Sequence, residues 1–475
     1  MRVLMLGWEF PPFITGGLGT ACYGLTRAMS SRGHQISFVL PKQVGGEYTS
    51  HVKMLSPQSR RAEAGDRAPE SVASTFKADP KPTPVDAQGK EAFRNVVFKA
   101  VPSHMASVYP GGGLQYTPTG TRKSEGIGFI HSKPTVETQV VQSSSVSTAP
   151  PPPQPKVDFD YSGDLFQQTR RYADLCIDLA KGEDFDVIHA HDWLTFPAAQ
   201  ALSEATGKPW IAHVHSTEFD RAGEGANAQI AEFERQGVEH ADRVIAVSEF
   251  TRTILINRYG LDKAKCDVVY NGVERAINNG VQRSAPVQPP AGIRKDEKVV
   301  LYLGRVTMQK GPEYFIAAAK KVLEKMDNVK FVVAGSGDQI ERTIEQAAKA
   351  GIGSKITFTG FLRGDDVRKV YEMADVYVMP SVSEPFGIAP LEAIAHNVPV
   401  IISRQSGVSE VLEHALKVDF WDTHDIANKI IAVLRHPPLS KTMREHADLE
   451  VRELTWDGAA ARCEAVYEDL QSAAV

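Results

Sequence analysis

Cysteine is scarce in this chain: Cys22, Cys176, Cys266 and Cys463 are the four among 475 residues. They are scattered, with no C-x-x-C pair and no Cys/His ligand spacing. That excludes a disulfide scaffold and a zinc ribbon, and it fits a reducing, cytoplasmic setting. Long apolar runs are missing too. The opening stretch MRVLMLGWEFPP is too short for a signal core or a membrane span, so no stable membrane insertion is expected. An excess of positive charge is likewise absent. The formal net charge is −5, which provides no basic field for nucleic acid. What remains, 42% hydrophobic and 23% charged, is the composition of a globular protein long enough for two or three domains.

Short apolar runs recur with helical patterns between them. A first series comprises VLMLGW (3–8), QISFVLP (35–41), DVIHAH (186–191), WIAHVH (210–215), RVIAVS (243–248) and DVVYN (267–271). A second comprises VVLYLG (299–304), FVVAG (331–335), ITFTG (356–360), VYVMPS (376–381) and VPVIIS (398–403). The runs are continuous, not alternating, which predicts parallel strands covered by helices on both faces. Two series predict an α/β protein of two doubly wound, Rossmann-like domains, with the break near RSAPVQPPAGIRKDEK (283–298). The boundaries read as 1–283, 284–454 and a final helical segment, 455–475. Within the first domain lies an insert at about 43–160. Its Ser/Pro-rich tail QSSSVSTAPPPPQPKVD cannot bury a core and reads as a flexible loop, while NVVFKAV (95–101) reads as a strand returning to the sheet.

In open α/β sheets the ligand lies beyond the carboxyl ends of the strands, so the residues just after each run carry the information. After VYVMPS comes VSEPFGIAPLEAIAHN. Pro390 suits the first position of a helix, which places Glu384 in the exit loop and Glu392 in the first helical turn. Amides near Gly387, Ile388 and Ala389 then form an anion-attracting helix start. An acid in a first turn can also be ordinary helix chemistry. After VVLYLG, Arg305 and Lys310 put two cations at a strand mouth, suited to a diphosphate; solvation of both cations would leave them without that role. The G-x-x-x-x-G-K-[ST] loop is absent, which disfavours a triphosphatase. Gly335 in VAGSGDQ would bring an amide toward a phosphate or base, although a plain turn is the better reading of that stretch taken alone. Gly16, Gly17 and Gly19 lie between the first strand and a helix whose cap is expected at Thr20. The H-x-H pairs of HAHDWLTF and HVHSTEFD send rings to one sheet face, where packed and hydrogen-bonded histidines are commoner than metal ligands; no metal site is expected. Asp184 and Asp186 form D-x-D, but at the start of a strand, the wrong end for a metal-nucleotide site.

Together these stretches resemble the GT-B-fold retaining glycosyltransferases, family 4 and the related glycogen and starch synthases, over about 1–42 and 165–471. WEFPPFITGGLG resembles the amino-terminal glycine loop, VIHAHDW the H-x-H-D-W signature and HVHSTEFDR the following histidine strand. VVYNGVE looks like the interdomain turn, GRVTMQKG the Arg/Lys phosphate pair and EPFGIAPLE the E-x7-E signature. The final helix, with Trp456 and Tyr467, resembles one that crosses back to the first domain.

The resemblance implies roles. Arg305 and Lys310 would hold the donor diphosphate and stabilise it as it leaves. Glu384 would contact the transferred sugar, Glu392 the ribose, and the amides of Gly387, Ile388 and Ala389 the sugar and phosphate. His215 would lie beside the reacting carbon, Gly16 and Gly17 near the phosphate, and Asp192 and Gly335 among the substrate-binding residues. The implied reaction moves a hexose, glucose first, from a UDP- or ADP-sugar donor to a carbohydrate acceptor, either an α-glucan or a small molecule or surface polysaccharide, with no metal or other cofactor. His396-Asn397 and Ser406-Gly407 depart from the family pattern on the donor side. A nucleotide-sugar epimerase of the same architecture, and a non-catalytic sugar-nucleotide binder, remain alternatives.

Overall fold

The computed structural model describes residues 1–11, 16–41, 52–55, 165–274, 293–294 and 296–473, all within one compact unit. Among the described residues the amino-terminal sheet has seven strands: β1 (Arg2–Leu6), β2 (Gln35–Val39), β3 (Lys53–Leu55), β4 (Val187–His191), β5 (Trp210–Val214), β6 (Arg243–Ala246) and β7 (Cys266–Val268). They lie in the order β3-β2-β1-β4-β5-β6-β7, every pair parallel. The second sheet has six: β8 (Lys298–Leu303), β9 (Val329–Ala334), β10 (Ile356–Gly360), β11 (Val376–Met379), β12 (Val400–Ser403) and β13 (Leu416–Val418). Their order, β10-β9-β8-β11-β12-β13, repeats the same winding, again all parallel. The chain is thus an α/β protein of two Rossmann-like domains. Burial explains why continuous apolar runs mark these strands: every residue of β4, β5, β9, β11 and β12 is buried.

Two strands escape the apolar-run rule. Three-residue β13, Leu-Lys-Val, sits on an edge with its first two residues partly exposed. The other, β3, pairs with β2 inside the stretch expected to be an insert from about 43, so the amino-terminal sheet extends to residue 55. The strand expected at 95–101, the Ser/Pro-rich tail and most of the expected domain break lie outside the described residues.

Helix starts also differ from expectation. The first helix runs Gly17–Ser31 with Gly16 at its cap, so Thr20 lies inside the first turn. The helix after β11 is Ile388–Ala395, capped by Gly387 in the left-handed region at φ 105°. Pro390 is therefore its third residue, and Glu392 its fifth. Glu392 has left the first turn, where a carboxylate would favour the helix dipole, so helix chemistry does not account for it.

The final helix, Trp456–Ala473, packs on the amino-terminal domain. Trp456, Ala460, Cys463 and Tyr467 share a buried cluster with Val3, Met5, Leu25 and Met29. Two glycines make room for Trp456. A Cβ on Gly24 would lie 2.2 Å from its indole Cε2, and one on Gly272 would lie 2.2 Å from its backbone nitrogen. At the amino end of the same sheet, Arg2 pairs with Asp184 and Asp186. The D-x-D stretch is thereby an ion-paired strand start, away from the carboxyl end of the sheet.

Candidate active site

In each sheet the winding reverses next to its first strand, between β1 and β4 and between β8 and β11. Such switch points open a crevice beyond the carboxyl ends of the strands. In the second domain the crevice is built by the loops leaving β8 and β11, and buried tyrosines brace the first of them. The Tyr302 hydroxyl donates to the carbonyl of Arg305 at 2.8 Å, and the Tyr377 hydroxyl to that of Leu303 at 3.2 Å. The two loops are joined by a bond from the Val382 amide to the Gln309 carbonyl, 2.8 Å. Lys310 ends a short 3-10 turn, and Gly311 follows in the left-handed region at φ 61°. A Cβ there would meet the Pro380 carbonyl oxygen at 2.2 Å, so glycine is what lets the loops close together.

This closeness brings Lys310 to Glu384. The ammonium lies 2.5 Å from Glu384 Oε2, which also accepts from the Ser381 hydroxyl at 3.1 Å. The Glu384 carboxylate is buried and Lys310 only partly so. Backbone bonds hold Glu384 against the loop after β12: its amide donates to the Gln405 carbonyl and its carbonyl accepts from the Gly407 amide, both 2.9 Å. Arg305, on the same β8 exit loop, makes one long contact to Gln309 Oε1 at 3.5 Å.

The first domain approaches Arg305 through its glycine loop. A Cβ on Gly16 would sit 3.7 Å from Arg305 Nε, while one on Gly17 would meet nothing within 4 Å. Gly16 is extended, at φ −163°, so neither backbone strain nor crowding requires a glycine at either position. Close approach of a ligand is a reason that fits both. Gly335 behaves differently. Its φ is 144°, a Cβ would lie 1.9 Å from the Gly304 carbonyl oxygen, and its amide already donates to Gly360 at 2.8 Å. The expectation that this amide faces a phosphate or base is thereby corrected: Gly335 lets the loops after β8 and β9 touch.

The helix Ile388–Ala395 starts at Gly387 beside Glu384. Its first-turn amides, Ile388 and Ala389 among them, have no acceptor within the helix. Glu392 is positioned by a residue that lacks a sequence signal. The hydroxyl of fully buried Tyr371 donates to Glu392 Oε2 at 2.9 Å, and the His396 ring stacks on Tyr371 at 5.1 Å. Burial pushes the Glu392 carboxyl above its ordinary range, a shift that the Tyr371 bond opposes. Beside Glu392 is a small cavity of about 140 Å³, shared with Thr20, Tyr23 and Trp456 of the first domain's surface. Arg305, Lys310 and Glu384 do not line that cavity, so the two acids of the E-x7-E segment face different surroundings.

Three histidines on β4 and β5 and a fourth just past β5 form two stacked pairs. His189 stacks on His191 at 4.6 Å and His213 on His215 at 4.2 Å. Hydrogen bonds cross between the strands, His189 to His213 and His191 to His215, each 2.9 Å. The Tyr467 hydroxyl of the final helix meets His189 Nδ1 at 2.5 Å. One ring nitrogen each from His189, His191 and His213 lie within 4.8 Å of one another, a spacing that could admit a metal ion, though both nitrogens of His189 are already engaged. Burial lowers the basicity of all four rings, to about 3 for His189 and for His215, so the stack is neutral. Of the four, His215 is the residue that is partly exposed, just past the carboxyl end of β5.

Asp192 has a different position from the one expected of a substrate contact. It is buried in the left-handed region at φ 61°, and its Oδ1 accepts from the amides of His215, 2.7 Å, and Ser216, 3.3 Å. It anchors the loop that carries His215. Burial pushes its carboxyl up to about 7.

Comparison with known proteins agrees with this architecture. Residues 287–449 match the family described as glycosyl transferases group 1, residues 136–276 glycosyltransferase family 4, and residues 2–78 the starch synthase catalytic domain. The chain is 34% identical over 297 residues to a glycosyltransferase of Methanocaldococcus jannaschii, covering 60% of this chain and 76% of that one. It is 26% identical over 416 residues to the glycogen synthase of Mycobacterium tuberculosis, covering 87% and 80%. Among solved structures, sucrose-phosphate synthase from Thermosynechococcus elongatus superposes with a TM-score of 0.66 at 18% identity, covering 99% of both chains. The Anabaena protein HepE, in complex with UDP and glucose, does so at 0.59 and 15%, covering 99% of this chain and 100% of that one. At these identities the structural likeness is one of fold.

Proposed function

The chain belongs to the GT-B glycosyltransferases of group 1, and on that premise we propose that it transfers a hexose, glucose in the leading reading, from a nucleotide-diphosphate sugar to a glycan acceptor with retention at the anomeric carbon. An α-glucan is the acceptor most in keeping with the glycogen synthase relative, and UDP or ADP the nucleotide. The observation that supports the reading is the ion pair of Lys310 with Glu384 at the switch point between β8 and β11, with Arg305 on the same β8 exit loop and Gly16 of the other domain against it.

The roles follow from charge. As the bond from the anomeric carbon to the diphosphate breaks, the sugar becomes oxocarbenium-like and the leaving group gains negative charge. Arg305, Lys310 and the amides at the start of the helix Ile388–Ala395 lie where that charge develops, and preorganised donors there lower the barrier. These groups supply positive charge from the protein, so the reading calls for no metal. Glu384, beside Lys310, takes hydroxyls of the transferred sugar, and Glu392, held by Tyr371, takes the ribose. His215, anchored by Asp192, flanks the anomeric carbon. Closure of the domains over the donor would keep out water that otherwise hydrolyses it.

The test is incubation with UDP-, ADP- and GDP-sugars, with and without glycogen or small carbohydrate acceptors, following nucleotide release. Release that depends on an acceptor supports the transferase. A free epimer of the donor sugar, or binding with no turnover of any donor, would contradict it.

A further inference from the structure

Glu384 stands between two residues that are bonded to the opposite domain. On one side, the Ser383 hydroxyl donates to Asp220 Oδ1 at 2.6 Å. On the other, the Pro385 carbonyl accepts from the Ser248 hydroxyl at 2.5 Å and from the Thr251 hydroxyl at 3.2 Å. Ser248 and Thr251 are fully buried and Asp220 nearly so, which keeps these bonds out of competing water. Gly407, whose amide bonds the Glu384 carbonyl, belongs to the same junction. A Cβ on it would lie 2.3 Å from the Pro385 carbonyl oxygen and 2.4 Å from Ser248 Cβ, so glycine is needed for the domains to meet here.

The opposite-domain groups are themselves rigid. Ser248 caps the helix Glu249–Tyr259 through the Thr251 amide, and Asp220 forms a reciprocal capping box with Thr217 at the helix Glu218–Ala222. Glu410 adds a further tie, its carboxylate accepting from the amides of Glu249, 3.0 Å, and Phe250, 2.6 Å.

We infer that Ser383, Asp220, Ser248 and Thr251 are positioning residues: the amino-terminal domain fixes the acid-bearing loop on both sides of Glu384, so the sugar-facing carboxylate is set in place only where the two domains are bonded together. The inference rests on the proposed role of Glu384 and adds a mechanism by which domain contact and catalytic geometry are one event. Lys310 and Ser381 orient the carboxylate from its own domain; Asp220, Ser248 and Thr251 hold its backbone from the other, through Ser383 and Pro385.

The experiment uses the full chain in steady-state transfer, with melting followed in parallel. Ser383→Ala removes one cross-domain bond without touching a helix cap, and Ser383→Thr keeps the hydroxyl. Ser383→Ala should lower kcat about tenfold with little change in donor KM, and the pair Ser383→Ala/Ser248→Ala by about a hundredfold, since displacements of about 1 Å can cost that much. Ser383→Thr should restore most of the activity. Ser248→Ala also loses a helix cap, so an early melt of that variant leaves Ser383→Ala to decide. If Glu384→Gln is inactive while Ser383→Ala turns over like the parent, the positioning role is wrong and the role of Glu384 stands. If Glu384→Gln turns over normally, the functional reading fails and the inference falls with it.

Discussion

Lys310 and Glu384, 74 residues apart in the chain, are joined by an ion pair of 2.5 Å that links the loop after β8 to the loop after β11. In the proposed reaction one of these groups attends the departing diphosphate and the other the sugar. Before the donor arrives each supplies the other's counter-charge, so the site is assembled without leaving a buried carboxylate unpaired.

The pair predicts a non-additive double mutant. Lys310→Met leaves Glu384 buried and uncompensated, whereas Lys310→Met with Glu384→Gln removes both charges. The single change should destabilise the chain more than the double one, with a coupling energy of about 1–3 kcal/mol by denaturant titration. Additive losses would mean that the two groups do not depend on one another.

Tyr371 holds one oxygen of Glu392, and Tyr371→Phe deletes that bond without changing the ring that stacks on His396. A freed Glu392 should bind the nucleotide less well, raising donor KM about tenfold with kcat little changed. Equal KM values in parent and variant would separate Glu392 from donor binding.

Asp192 gives a pH test. Its carboxyl, pushed up to about 7 in the fold from an ordinary 3.8, takes up a proton on folding between those two values. A raised acid adds stability that is fully present below the unfolded value and lost as pH rises through the folded one. Asp192→Asn keeps an oxygen for the His215 and Ser216 amides and has no such titration. Its stability relative to the parent should therefore climb between about pH 4 and 7, by at most about 1.4 kcal/mol per pH unit, and level off above. A difference independent of pH would contradict the burial assigned to Asp192.

Packing of the final helix predicts a contrast between glycines. Gly24→Ala drives a methyl into the Trp456 indole and should cost about 1–3 kcal/mol, whereas Gly17→Ala meets open space and should leave the melting temperature almost unchanged. Similar melting temperatures for the two variants would show that Trp456 does not fill the space beside Gly24.

Much of this site was legible because doubly wound sheets place function at strand exits. That rule picked out Arg305, Lys310 and Glu384 from local sequence, and the resemblance supplied their roles. What escaped was the support around them. Tyr371 acts on Glu392 from 21 residues away and Asp220 on Ser383 from 163, and neither leaves a local pattern. Asp192 belongs to the H-x-H-D-W resemblance and Gly335 follows a strand, which suggests ligand contacts for both, yet one satisfies a loop's amides and the other permits two loops to touch. The same limit applies to strands: β13 is short, on an edge and has a lysine at its centre, so the apolar-run signal is missing.

The most direct measurement is acceptor-dependent nucleotide release by Arg305→Ala and Lys310→Ala beside the parent chain, each with melting recorded. The account predicts folded variants whose turnover falls about 10²–10³-fold, the usual loss for one preorganised charge-stabilising donor. Folded variants that both turn over at close to the parent rate would contradict it.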